Sequence, residues 1–235
     1  MIVSTSQKFN NSFGSRNIPI MPFEIKTPKG KLFVQEMSLG DFKNNGDFQE
    51  LSKFFIDNFI DGSTDPGWKW YLNPKHESGY KNRIKRFSIF CKELFKNDDG
   101  NTTFLVAKDK QNKIKAGAIS CTCDELPPFV NNSNIFYLDS LAVDKKYRNN
   151  GVGKTLLEKT LTTSKGYTDA VLTGYNKAVP LYKKLGFKNL QEIGFQNKDV
   201  KKIWDIVRED RDDIPRHTQL MTKVLDEKAS RWWEI

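Results

Sequence analysis

Tyr147-Arg148-Asn149-Asn150-Gly151-Val152-Gly153-Lys154-Thr155 is the stretch on which the reading of this chain turns. An apolar, strand-like run from Asn134 to Val143 leads into it, and a helix-like run from Val152 to Ser164 leads out. Strand, glycine-bearing turn and helix start is a geometry that presents backbone N–H groups to an anion. The first N–H groups of a helix have no internal partner, and the helix dipole adds partial positive charge there. Gly151 and Gly153 carry no Cβ to keep the backbone away from a phosphate. Lys154 adds a cation at the mouth, and Arg148 either does the same or pairs with a neighbouring carboxylate.

Working outward, Gly153-Lys154-Thr155 resembles the end of the nucleoside-triphosphate P-loop, which needs a glycine where this chain has Arg148. The later strand Ala170-Val171-Leu172-Thr173-Gly174 offers no acidic residue to help hold magnesium. The alternative pattern is R-x-x-G-x-G, at Arg148, Gly151 and Gly153. Upstream stands Leu138-Asp139-Ser140-Leu141-Ala142-Val143, and downstream Ala178-Val179-Pro180-Leu181-Tyr182-Lys183-Lys184-Leu185-Gly186-Phe187. Together these segments resemble the Gcn5-related N-acetyltransferase (GNAT) superfamily over about residues 102–190, with a weaker echo at Met221-Thr222-Lys223-Val224-Leu225.

Periodicity gives the order of elements. Residues 1–30 read as an irregular N-terminal arm. A first strand covers Lys31 to Met37. Asp47 and Glu50 read as a helix cap and its box partner, with Phe48, Leu51, Phe54, Phe55 and Phe59 following at helical spacing. Tyr80 to Lys96 is a second helix. Strands follow at Thr103–Lys108, Ala116–Asp124 and Ile135–Val143, and short connections argue for antiparallel pairing. A strand at Ala170–Thr173 after the helix suggests a parallel crossover with the cradle at its carboxyl end. Pro180 confines the next helix to a start near Ala178, and Gly186 suits its left-handed cap. A strand at Lys188–Phe195, a helix at Asp199–Glu209 and a last strand at Thr218–Leu225 complete a single acetyltransferase-like domain over 31–225. Residues 226–235, with Arg231-Trp232-Trp233, form a tail.

The fold class expected from the resemblance is α/β (α+β). It has a mixed, mostly antiparallel central sheet of about six to seven strands flanked by helices, with an acyl-coenzyme A site at the splay between strands 4 and 5, here Ile135–Val143 and Ala170–Thr173.

Composition narrows the class. The net charge of +9 favours polyanionic partners, coenzyme A among them. It does not establish nucleic-acid binding, which is not predicted. No apolar run approaches the roughly 20 residues of a membrane helix, and the N-terminus lacks signal-peptide character, so a cytoplasmic protein is expected. The three cysteines read as thiols. Cys121 and Cys123 share one strand face, and with no nearby His or third Cys they read as small residues filling a sheet rather than a metal pair. No metal is expected.

The resemblance implies acetyl-coenzyme A as co-substrate and an amine acceptor, in a monomer or homodimer. The pyrophosphate would accept hydrogen bonds from backbone N–H groups of Asn149, Asn150, Gly151, Val152, Gly153 and Lys154, and the pantetheine arm would lie beside Leu141, Ala142 and Val143. Tyr182 matches the family tyrosine near the coenzyme sulfur, the candidate general acid. Asp139 matches an acidic residue on the same strand, the candidate base, with Asp124 and Glu125 as rivals. The family's coenzyme-touching Asn falls on Tyr175 here, leaving Asn176 displaced by one. The aromatic run Asp65–Tyr71 is either an acceptor-pocket wall or satellite core. His76 and His217 carry no assigned role. The implied activity is N-acetyl transfer to a small-molecule, peptide or protein primary amine. The alternative is a non-catalytic module that binds acyl-coenzyme A or a polyanion.

Overall fold

Runs of apolar residues in alternation assemble here into one twisted sheet with helices on both faces. A computed structural model describes residues 19–42, 45–62, 77–96, 102–122, 135–164, 167, 169–175, 177–193 and 218–225. Among them the strands are β1 (Phe23–Thr27), β2 (Gly30–Glu36), β3 (Thr103–Lys108), β4 (Ile114–Thr122), β5 (Ile135–Val143), β6 (Asp169–Tyr175), β7 (Lys188–Asn189) and β8 (Thr218–Val224). Their order in the eight-stranded sheet is β1-β2-β3-β4-β5-β6-β8-β7. The one parallel pair, β5 with β6, is joined through helix α3 (Val152–Leu161), as a parallel connection requires. The other neighbours are antiparallel.

Alternation along β3 sorts the core into two sides. Phe104 and Val106 pack with α1 (Asn45–Gly62) and α2 (Glu77–Lys96), where Phe48, Leu51, Phe55, Cys91 and Leu94 are buried. Leu105 and Ala107 point to the other face, under Val152 and Leu156 of α3. Helix α4 (Val179–Lys184) covers the far half of that second face, with Val179, Tyr182 and Leu185 against Leu138, Leu172 and Met221. Burying one Leu or Phe side chain contributes roughly 1.5–3 kcal/mol, so these clusters fix the helices on the sheet. Tyr80 of α2 also donates a hydrogen bond to Asp57 of α1.

Several expectations are corrected. Among the described residues the sheet has eight strands, because the supposed arm over 1–30 contains β1. Pro22 and Pro28 flank this strand and mask its Phe-Glu-Ile-Lys-Thr alternation. The turn into β2 is held by Thr27, whose Oγ1 donates to the Gly30 carbonyl at 2.7 Å, with Gly30 at φ 116. Lys188–Phe195 is not one strand. Only Lys188 and Asn189 pair with β8, after which buried Leu190 opens helix α5 (Leu190–Ile193). Helix α1 starts at Asn45, so Asp47 sits inside its first turn rather than at the cap. The helix at Asp199–Glu209, the Asp65–Tyr71 run, Asp124, Glu125, both histidines and the Trp-bearing tail lie outside the described residues.

Gly117 of β4 faces α1. A Cβ built on it would lie 2.8 Å from Phe55 Cζ and 3.4 Å from the Leu105 carbonyl oxygen, and Phe55 is held by Phe59 and Phe87 with no exposed surface. Gly117→Ala should therefore lower unfolding free energy by about 1–3 kcal/mol through overpacking. The check is a lower urea midpoint with an unchanged slope. A variant as stable as the parent would mean the ring can move aside.

Candidate functional site

The parallel strands pair from Ile135 opposite Asp169 to Leu138 opposite Leu172 and no further. Beyond that point each keeps its outer partner. β5 stays on β4 as far as Val143 opposite Ala116, and β6 stays on β8 as far as Tyr175 opposite Thr218. The strands part, and the edge of β5 facing β6 has no strand partner from Asp139 to Val143 among the described residues.

A β-bulge sits where the parting begins. Ile119 pairs with Ser140 and Ser120 with Leu138, so Asp139 is the extra residue. A bulge breaks alternation and bends its strand. Before it, Phe136 and Leu138 point toward α3 and α4 while Tyr137 points toward α1 and α2. After it, Leu141 joins the α3–α4 side and Ala142 the α1–α2 side. That switch leaves Asp139 and Ser140 on the same side, and Ser140 Oγ donates to Asp139 Oδ2 at 2.6 Å.

The gap opens into a cleft of about 930 Å³. Its walls include β5 from Tyr137 to Val143, the cradle residues Arg148, Asn149, Gly151, Val152, Gly153 and Lys154, Tyr182 of α4, and Asn58 and Phe59 of α1. The volume suits an organic ligand of coenzyme size.

The cradle is built from local rules. Asp144 caps a short 3₁₀ turn over Lys145–Tyr147 by accepting from the Lys146 N–H at 2.9 Å. Asn149 and Gly151 then adopt left-handed backbone, at φ 62 and φ 78. Gly151 caps α3 with no side-chain hydrogen bond, and the first helical bond runs from the Thr155 N–H to the Gly151 carbonyl at 2.9 Å. The N–H groups of Val152, Gly153 and Lys154 are thus left for a ligand. Val152 is itself buried and contributes backbone only. A Cβ at Gly153 would meet Leu181 and Val143 at 3.5 Å, ordinary contact. The protein's own packing does not demand a glycine there. Lys154 is paired with Glu158 at 3.5 Å on the surface. Asn150 turns its amide inward, donating to the Arg148 carbonyl at 3.0 Å.

Residues 100–189 match the family model described as "Acetyltransferase (GNAT) domain", over the stretch that carries the strand, the cradle and α4. This segment is a GNAT domain. A stretch of 52 residues is 42% identical to the peptidyl-lysine N-acetyltransferase YjaB of Salmonella typhimurium, covering 22% of this chain and 36% of that protein. The chain thus matches only about a third of that relative's length. Two solved structures share the fold. One is a GNAT-family acetyltransferase from Streptococcus pneumoniae (20% identity, 83% of this chain and 99% of that one, TM-score 0.50). The other is titled histone acetyltransferase HPA2 and related acetyltransferase, from Corynebacterium glutamicum (19%, 81% and 94%, TM-score 0.51).

Within the GNAT domain, the cleft brings Asp139, Tyr182 and the cradle together. Tyr182 is buried, with its ring across Gly174, where a Cβ would stand 2.8 Å away, and edge-on to Phe187. Asp139 is half-buried in the wall of the cleft. Loss of hydration pushes its carboxyl up to about 6, only partly offset by the Ser140 hydrogen bond. Burial, and then the nearby Asp139 charge, push the Cys91 thiol up as well. Asn176 lies outside the described residues. Arg148, expected at the mouth of the cradle or on a neighbouring carboxylate, lines the cleft and bonds to β5 and α1. Its Nε donates to the Val143 carbonyl at 2.8 Å and its Nη2 to Asn58 Oδ1 at 3.0 Å.

Of two wall residues on α1, Asn58 escaped the sequence reading, and Phe59 was read only as part of an apolar helix stripe. The signal for Asn58 was present: it is an amide standing three residues after Phe55 and seven after Leu51, on a helix stripe that is otherwise apolar.

The raised Asp139 carboxyl has a defined consequence for stability. Unfolded, it titrates near ~4; folded, at about 6. Between those values the native state holds the extra proton, so stability falls as pH rises through this window and the penalty is fully present above it. Asp139→Asn should be the more stable protein at pH 8, by roughly 3 kcal/mol for two pKa units. The difference should shrink toward zero near pH 4. Urea unfolding of both proteins across this range checks it.

Proposed function

We propose that the GNAT domain transfers an acetyl group from acetyl-coenzyme A to a primary amine of a small molecule, peptide or protein, by direct attack in a ternary complex. The observation that carries this reading is the parting of β5 and β6 beside a helix start that has no side-chain cap. The unpaired edge of β5 at Leu141–Val143 fits a peptide-like pantetheine arm laid alongside as an added strand. The N–H groups of Val152 to Lys154 and the left-handed turn at Asn149–Gly151 fit the pyrophosphate.

The chemistry then has two proton tasks. As the amine nitrogen bonds to the thioester carbonyl carbon, it becomes acidic and loses a proton, and Asp139, ionised above about pH 6, accepts it directly or through a water. As the C–S bond breaks, the departing thiolate takes a proton from Tyr182. A free alkylammonium titrates near ~10, so the acceptor enters through its neutral fraction or gives its first proton to solvent. Support for the peptide or protein end of the acceptor range comes from the relative named for peptidyl-lysine acetylation.

Calorimetry with acetyl-coenzyme A, against ATP with magnesium, tests the donor. Thiol release with an amine panel that includes a lysine peptide tests the transfer. Tyr182→Phe and Asp139→Asn should each lower kcat by ~10²–10⁴. In the parent, kcat/KM should rise with pH through about 6, and Asp139→Asn should lose that limb. Coenzyme binding without thiol release from any amine would favour the non-catalytic alternative, and ATP binding in its place would sink the acetyltransferase reading.

Gly153→Ala gives a separate check on the cradle. The added methyl fits the protein and favours the helix, so thermal stability should hold or rise by up to ~1 kcal/mol. Coenzyme A affinity should fall on the order of tenfold, the worth of one weakened hydrogen bond to a charged group. Unchanged affinity would place the phosphates elsewhere.

A further inference from the structure

We propose that Arg148 is a positioning residue that latches the phosphate-binding turn to the α1 wall of the cleft. The inference rests on the coenzyme-binding reading above and goes beyond it, to how the acceptor side of the cleft is held in place. One edge of the guanidinium serves two elements that are remote in sequence. Nε donates to the Val143 carbonyl, 2.8 Å away at the end of β5, and Nη2 donates to Asn58 of α1, at 3.0 Å to Oδ1 and 3.4 Å to the carbonyl oxygen. Asn58 is oriented for this. Its Nδ2 donates to the Phe54 carbonyl at 2.9 Å, which turns Oδ1 to the arginine. The next residue, Phe59, packs on Phe55 and Phe87, with ring centroids at 5.8 and 6.2 Å. Asn58 and Phe59 both line the cleft, on the side where Asp139 lies and where an amine must approach it.

Arg148 is also covalently part of the cradle, one residue before Asn149 and three before Gly151, the two left-handed positions. An anion bound by the backbone N–H groups of residues 149–154 fixes the path of this turn. Fixing the turn fixes the base of the arginine, and the guanidinium carries that order to Asn58 and the last turns of α1. A rigid two-pronged fork can do this; a lysine ammonium cannot reach both acceptors in a set geometry. The two-ended contact is the physical link that coupling between sites requires.

Hydrogen–deuterium exchange on the full chain, with coenzyme A as the probe, reads the latch without knowledge of the acceptor. In the parent, coenzyme A should slow exchange of the α1 amides of residues 55–62 by about fivefold or more, the lower range for coupled sites. Asn58→Ala and Arg148→Lys should lose that slowing. Asn58→Asp should keep it, because a carboxylate accepts the same Nη2 donation. Opening of α1 is a minor population in either state, so coenzyme A affinity in Asn58→Ala should stay within about threefold of the parent. A purely structural role for Asn58 would speed α1 exchange equally with and without coenzyme A. The latch is overturned if coenzyme A slows α1 equally in Asn58→Ala, or leaves α1 unchanged in the parent. It is also overturned if Arg148→Lys retains the slowing. Failure of the parent to bind coenzyme A at all would instead overturn the donor reading, and the latch with it.

Discussion

Two parallel strands that share hydrogen bonds only as far as Leu138 and Leu172 hold the key constraint in this molecule. A sheet normally continues its ladder, because an unpaired backbone group shut away from water is unfavourable. Here the ladder stops where one residue is inserted into β5 against β4. The bulge at Asp139 bends β5 away from β6, while β4 and β8 hold the outer edges of the two strands in register. The opening cannot close without breaking one of those outer ladders. The cleft is therefore opened by strand pairing, and the turn at residues 148–151 completes its wall.

The same inserted residue sets the chemistry of the cleft. By reversing the alternation of β5, the bulge puts Asp139 and Ser140 side by side on the α1–α2 face. The carboxylate thereby enters a protein-walled space, where desolvation outweighs the single hydrogen bond from Ser140. On the opposite face the unbroken alternation of Phe136 and Leu138 keeps α3 and α4 tightly docked. The start of α3 and the buried ring of Tyr182 thus stand on rigid supports at the other side of the gap. One strand provides a titratable carboxyl on one face and a packed platform on the other.

Much of this was legible in the sequence because it is local. The turn at Asn149–Gly153, the helix that follows it, the confinement of α4 by Pro180 and the left-handed Gly186 at its end (φ 86) all follow from side-chain chemistry within a few residues. Alternation placed β3 and β5 at their observed bounds for the same reason. The strand at Phe23–Thr27 was hidden because flanking prolines mimic a loop, while its pairing with β2 depends on a partner beyond the turn. The short β7 failed as a longer strand because Leu190 finds a buried site that only the folded sheet supplies.

The residues therefore determined the elements from β3 to α4, the glycine-bearing turn before α3 and the family pattern over 100–189, since each depends on backbone preference and period. Tertiary structure alone decided three things. One is the face on which Asp139 lies, which the bulge sets against β4. Another is the burial that raises its carboxyl. The last is the partner of Arg148, ninety residues away at Asn58. Each arises from contacts between segments distant in the chain, and no local preference encodes the place where two such segments meet.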